Sequence, residues 1–357
     1  MHTKLFIPGP VEVREDVLSK IALPQIGHRT KEASELQRRI SENMQRVWNT
    51  KDEIILSTSS GSGLMEGAIR SCTGKKAAVF SIGAFGKKWY EIARANGIEA
   101  DIFESNMGDI SDPNLMDKAL SRGKYDLVAI THNETSTGIA NPMEEIAQVI
   151  KKYPDLVFCL DMVSSAGGHK VNLDQIGIDI AITSSQKCLG LPAGISLCSL
   201  SKKAIERAKI VKNRGYYFDL LKLYDHIIKK DYQYPSTPSI SHMFALDYQL
   251  DYILNVEGIE NRYQRHLDMA KIVRDWARDK FQIFGNEQHL SRTVTTIANT
   301  RNINVEDLNN GLKERGMMIS NGYGDLKEET FRIAHMGDTQ VEDINELLNN
   351  INDILKI

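Results

Sequence analysis

Short apolar runs recur at residues 54–57, 77–82, 100–103, 127–131, 156–160, 180–183 and 195–200, and helical patterns separate most of them. Strands that alternate with helices do not pair as hairpins, so the pattern predicts an α/β body: a mostly parallel sheet with helices on both faces. The last two runs are joined only by SSQKCLGLPAG, which has no room for a crossover helix. The final strand is therefore expected to run antiparallel to its neighbour. At 357 residues and 41% hydrophobic content, the chain can bury a sizeable core and carry a second unit.

Outside the alternating region, residues 1–20 read as an extended arm that Pro8 and Pro10 keep out of regular structure, followed by the start of a helix. Such arms often lie on a partner subunit. Residues 30–49 place Leu36, Ile40, Met44 and Val47 on one helical stripe, a packing face. A helix over 241–255 leaves the main body, and a second over 263–281 has Leu267, Ala270, Val273 and Ala277 on one side. After Gly285, strand runs at 293–298, 317–320 and 330–334 mix with amphipathic helices around 305–315 and 341–354. This predicts an N-terminal arm (1–20), a large domain (21–255) and a smaller C-terminal α+β domain (256–357).

A net charge of −3 and a pI near 6.3 supply no basic surface for nucleic acid or anionic membrane. The four cysteines show no CxxC spacing and read as small core residues in a reducing compartment, with no metal site. The N-terminal MHTKLFIPGPVEVRED lacks an apolar segment of signal-peptide length, and the polar residues of 180–201 exclude a membrane helix there. The expected location is the cytoplasm.

Stretch 180–201 carries a single charge, Lys187, between two apolar runs. Alone, that lysine is either a snorkelling surface residue or an amine kept for chemistry. Upstream, Asp161 follows the apolar run LVFCL, at the position where a buried parallel strand ends. Taken singly it could also cap the next turn. Further upstream, ILSTSSGSGLMEGAI passes from strand to small and hydroxylated residues to helix formers, the composition of a phosphate cradle, although SGS would also serve as a plain N-cap. Amine, carboxylate and cradle together match the needs of pyridoxal 5′-phosphate, which takes a lysine for its Schiff base, an acid at its pyridinium nitrogen and donors for its phosphate.

With PGP at 8–10, GHR at 27–29, SGSGLME from Ser60, GAFGKKW from Gly83, HNETSTG from His132, DMVSS from Asp161, SSQK ending at Lys187, YPSTP from Tyr234 and FRIAHMG from Phe331, the chain resembles the class V aminotransferases of the fold-type I pyridoxal-phosphate enzymes. Within them it is similar to the alanine–glyoxylate, serine–pyruvate and serine–glyoxylate group. The resemblance runs almost end to end and implies a seven-stranded sheet, with Lys187 as Schiff-base lysine and proton carrier and Asp161 at the ring nitrogen. It further implies that Ser60, Gly61, Ser62 and Gln186 contact the phosphate, Phe85 stacks on the ring and Thr135 reaches the cofactor edge. Tyr234 and Thr237 would come to the phosphate from the second subunit of a homodimer, and Arg332 would clamp the substrate carboxylate. His28 and Arg29 would sit near the substrate mouth, and Lys88 stands where many relatives have arginine. The implied reaction moves the amino group of alanine or serine to glyoxylate or pyruvate. Alternatives are 2-aminoethylphosphonate or phosphoserine transamination and, from another class, a catalytically silent subunit. A cysteine desulfurase needs a nucleophilic cysteine late in the chain, and none follows Cys198.

Overall fold

The computed structural model describes residues 2–357. Its strands are β1 (Lys4–Phe6), β2 (Glu53–Ser57), β3 (Ala77–Ser81), β4 (Ala100–Glu104), β5 (Leu127–Thr131), β6 (Asn133–Glu134), β7 (Ile139–Ala140), β8 (Val157–Asp161), β9 (Ile180–Ser184), β10 (Ser196–Leu200), β11 (Gln282–Ile283), β12 (Val294–Ala298), β13 (Met317–Asn321) and β14 (Thr330–Ala334). Seven of them form one sheet in the order β2-β10-β9-β8-β5-β3-β4. Within it β10 runs antiparallel to both β2 and β9, while the β3–β4, β3–β5, β5–β8 and β8–β9 pairs are parallel. Every residue of β3, β5, β8, β9 and β10 is buried, as strands covered by helices on both faces must be.

The helix Lys31–Trp48 shows how local signals fix an element. Thr30 accepts the Ala33 amide at its N-cap, Asn49 ends it in the left-handed region, and Leu36, Ile40, Met44 and Val47 are all buried. A second core gathers around Met269, Val273, Ile297, Leu312, Phe331 and Ile344. It packs against a five-stranded sheet of order β1-β13-β14-β12-β11. The arm contributes to this sheet: β1 pairs in parallel with β13 and buries Phe6. These residues thus stay on their own chain, because the open edge of β13 supplies backbone partners and the second core supplies a pocket for the ring.

Between the two cores, the helix Ile240–Asp251 continues as a π-turn over Tyr252–Val256, and Gly258 (φ +80°) starts the helix Ile259–Lys280. Its buried side carries Arg262, Tyr263, His266, Met269, Ala270, Val273 and Ala277, while Leu267 is only half-buried. Ala270, Val273 and Ala277 of the expected stripe lie inward, and the buried face extends past Leu267 to Arg262 because an ion network described below pairs that arginine. All four cysteines are free and buried. Among the described residues, no helix is long and apolar enough to cross a membrane.

Candidate active site

The carboxyl ends of the parallel strands converge on one cavity, as expected where connections diverge from an α/β sheet. Its wall takes Asp161 from the end of β8, Ser60, Gly61 and Ser62 from the turn after β2, and Phe85 and Lys88 from the helix after β3. Asn133 and Thr135 come from the turn after β5, and Gln186 and Lys187 from the loop joining β9 to β10. About 130 Å³ remains open beside these groups.

Lys187 is held on a braced loop. Its carbonyl accepts the Gly190 amide at 2.9 Å, the Ser185 amide reaches the Ile195 carbonyl at 3.0 Å, and the Ser185 hydroxyl donates to the Pro192 carbonyl at 2.6 Å. Gly190 adopts φ +73°, and a Cβ there would lie 2.8 Å from Asp338 Oδ2, so glycine is required. The Lys187 amine points at the Pro8 carbonyl, and the Val11 amide donates to the Gln186 carbonyl at 3.2 Å. PGP therefore covers the lysine. Burial pulls the Lys187 amine down to about 8; Cys188 and Asp161 oppose this shift, while Arg332 and Lys88 reinforce it.

Asp161 accepts the Val163 amide at 2.8 Å on Oδ1 and the Thr131 hydroxyl at 3.3 Å on Oδ2. Burial pushes its carboxyl up to about 6, against the Val163 hydrogen bond. A cation beside it would reverse that cost. Ser60 sits at the N-cap of the helix Gly61–Cys72, yet its side chain makes no capping bond, so the Gly61 and Ser62 amides remain available to an anion, while the Gly63 amide donates to the Ser60 carbonyl. A Cβ on Gly61 would fall 2.5 Å from Val163 Cγ2, which keeps the backbone close to the cavity floor. Gln186 Oε1 accepts the Ser184 hydroxyl at 2.5 Å and leaves its amide donors free. Asn133 Oδ1 is buried without a partner on the same wall. An unused carboxylate edge, an uncapped helix start and an orphaned acceptor fit the ring nitrogen, phosphate and ring hydroxyl of pyridoxal phosphate.

Arg332 lies on β14 behind Thr135. Its Nη1 donates to the Thr135 carbonyl and its Nε to the Asn321 carbonyl, both at 3.0 Å, while Nη2 has no partner among the described residues. Burial pulls the guanidinium down to about 10, and Glu134 and Tyr323 counter this. Phe331 and Ile333 enter the second core on the other side of the strand.

Two sequence-predicted residues lie elsewhere in the single chain. The Tyr234 hydroxyl accepts the Thr58 amide at 3.3 Å, and Thr237 is exposed; neither lines the cavity. Arg29 also lies outside the cavity wall and donates to the Tyr234 carbonyl at 2.5 Å, with longer contacts to those of Pro235 and Ser236. Half-buried His28 is likewise not on the wall. The GHR and YPSTP motifs thus form one unit.

Glu134, read from the sequence only as part of a turn, is fully buried and organises the stacking side of the site. Its Oε2 accepts the Phe85 and Gly86 amides at 3.0 Å each, and its Oε1 takes the Ser136 hydroxyl at 2.6 Å. It caps the helix Ala84–Ala95 from a distant loop and so aims Phe85. Nothing in the local sequence marks this, because Gly83 at the N-cap has no side chain to do it.

A family model for aminotransferase class-V matches residues 18–344. The chain is 38% identical over 341 residues to an uncharacterized aminotransferase of Methanocaldococcus jannaschii, covering 93% of this chain and 87% of the relative. It is 28% identical over 368 residues to serine–glyoxylate aminotransferase of Arabidopsis thaliana, covering 99% and 90%. The crystal structure of alanine–glyoxylate aminotransferase from Nostoc sp. superposes with a TM-score of 0.93 at 24% identity, covering 99% of this chain and 96% of that one. The chain belongs to the class-V aminotransferases. It is a pyridoxal-phosphate-dependent transaminase of fold type I.

Proposed function

We propose that this enzyme transfers the amino group of alanine or serine to glyoxylate or pyruvate in two half-reactions that share one site. The observation that carries this reading is Arg332, a buried guanidinium with a free Nη2 behind the Thr135 wall of the Lys187 cavity. A planar fork holds a carboxylate in two bonds and so fixes the α-carbon, and donor and acceptor both carry that carboxylate. Bound pyridoxal phosphate supplies the electron sink for the α-carbanion. In this reading Lys187 is the attachment point and moves the proton at the α-carbon, an exchange suited to an amine with its pKa near 8. Asp161 keeps the ring nitrogen protonated, Phe85 stacks on the ring, and Thr135 contacts its edge. Ser60, Gly61, Ser62 and Gln186 hold the phosphate.

The working form in this reading is a homodimer. Exposed Thr237 and the Tyr234 loop pinned by Arg29 face the partner's phosphate, as the family resemblance implies, and sedimentation of a stable, active monomer would refute it. The proposed location is the cytoplasm, where four unbridged thiols persist.

One observation favours a second reading. Lys88 lines the cavity with its amine 4.9 Å from the Phe85 ring centroid and no acidic partner among the described residues, a cation suited to a phosphonate or phosphate on the substrate. Single-turnover kinetics with alanine, serine, glyoxylate and 2-aminoethylphosphonate decide between them. Arg332→Ala is expected to weaken amino donor and keto acceptor alike by about 2 to 4 kcal/mol, roughly two to three decades in kcat/KM, and Arg332→Lys to restore only part. If the wild type prefers the phosphonate and the variants lose only the keto-acid half-reaction, the second reading stands.

A further inference from the structure

Behind the catalytic wall lies a separate polar cavity of about 260 Å³, bounded by His132, His169, His289, Lys170 and Arg292 and by the start of the helix Met143–Ile150. Several waters' worth of space is available, since water occupies about 30 Å³ each in the liquid. Arg292 makes no hydrogen bond or ion pair with any described residue, although it is half-buried. An arginine that lines a cavity commonly pairs with a carboxylate or a row of carbonyls. This one instead stands close enough to the imidazoles of His132 and His169, tilted 45° to each other with ring centroids 4.6 Å apart, to disfavour their protonation.

The neighbouring groups point the same way. His132 is 2% exposed, and its Nδ1 meets the Ser165 hydroxyl at 2.9 Å while its Nε2 has no partner. His169 Nδ1 is buried and unpartnered. The helix Met143–Ile150 opens here with Pro142 at its N-cap, which cannot cap it, so its first amides lack a side-chain cap, while Glu144 and Glu145 in its first turn offset part of the dipole. Lys170 is already paired with Glu260 at 2.6 Å, and Glu144, the one acid on the wall, is exposed at the rim.

We infer that this cavity is a binding site for a small dianion, a phosphate or a dicarboxylate, held by the Arg292 fork, the imidazole N–H groups and the free helix amides. The site is wired to the catalytic wall. Ser291 and Thr293 flank Arg292; the Thr293 hydroxyl accepts from Asn133 Nδ2 at 3.1 Å and donates to the Ser164 carbonyl at 2.9 Å, and Asn133 and Ser164 both line the Lys187 cavity. Occupancy therefore bears on catalysis without contact with the substrate.

The test is calorimetric titration of the holoenzyme, in which the cofactor's phosphate already fills the catalytic cradle, with inorganic phosphate and, separately, with malonate. Saturable binding of at least one probe is expected, weakened about tenfold or more in Arg292→Gln and His289→Ala and partly restored in Arg292→Lys. Because the Arg292 side chain has no partner among the described residues, Arg292→Gln leaves none of them unsatisfied, and its visible absorption should match the wild type. Preference for phosphate over malonate, or the reverse, identifies the anion. The inference is overturned if neither probe binds, if Arg292→Gln binds like the wild type, or if Arg332→Ala abolishes binding, which would place the anion in the catalytic cavity.

Discussion

At the catalytic cavity and just behind its wall, half-buried Lys187 and buried Asp161 and Arg332 have no opposite charge in a salt bridge among the described residues, whereas just behind the Lys187 loop Arg262 is buried among partners. Arg262 Nη1 meets Glu257 Oε2 at 2.6 Å and Asp338 Oδ1 at 2.8 Å, and its Nη2 donates to the Cys188 carbonyl at 2.7 Å. The physical results are opposite. Unpaired burial takes Lys187 down to about 8 and Asp161 up to about 6, while the two acids hold Arg262 charged, above its usual value, despite complete burial. Chemistry needs groups whose protons move; bracing needs groups whose charge does not. The two regions adjoin in sequence, since the carbonyl Arg262 holds belongs to the residue after the lysine.

The contrast breaks most severely at Lys187. Lys187→Ala should still bind pyridoxal phosphate through the Ser60–Ser62 turn, yet lose turnover by roughly four decades or more, since removing the general base alone costs up to about that much. Asp161→Asn should keep the lysine linkage and lose most α-deuterium exchange from alanine; unchanged exchange would count against the assignment. Next in size, Arg262→Ala removes the central cation of the network and leaves half-buried Glu257 with Arg265 and Asp338 with Arg14 and Gln249, for which a loss of up to about 3 to 5 kcal/mol of stability is expected. Denaturant midpoints measure it, and a loss below 1 kcal/mol would mean that water replaces the guanidinium.

The smallest effect sharpens the comparison without mutation. In apoprotein, the Lys187 amine should acylate with a midpoint near pH 8, against about 10.4 for an ordinary lysine. The folded state binds fewer protons than the unfolded chain between those values, so Lys187 makes the apoprotein more stable as pH rises through that window. Asp161 acts in the opposite sense. Its raised carboxyl makes the folded state gain stability as pH falls through 6 toward the ordinary carboxylate range. Near neutrality both are charged and both destabilise the apoprotein. A labelling midpoint at the ordinary lysine value would show that the loop opens to water.

Much of this was legible in the chain. Strand-end placement brings Asp161, Lys187, Ser60 and Phe85 together because an α/β sheet delivers its loops to one edge, and a single lysine in an apolar stretch becomes a half-buried lysine. Helix-face reading held for Ala270, Val273 and Ala277 but not for half-buried Leu267, and it missed that Arg262 and His266 lie inward. Hydrophobicity predicts burial only for groups that need no partner. Glu134 was missed for a related reason: the helix it caps begins 50 residues earlier, at Ala84 (134 − 84).

The sequence by itself determined the alternation of elements and the antiparallel β10, since these follow from local periodicity and from connection length, and its family resemblance implied most of the residues that line the cavity. Only the tertiary structure decided that β1 completes the second sheet, that Arg29 holds the Tyr234 loop and that Arg292 faces an imidazole pair. It also decided that Arg262 is braced by Asp338, 76 positions away. Each depends on which polar groups share a low-dielectric space, and the pattern of apolar residues along a chain does not encode that pairing.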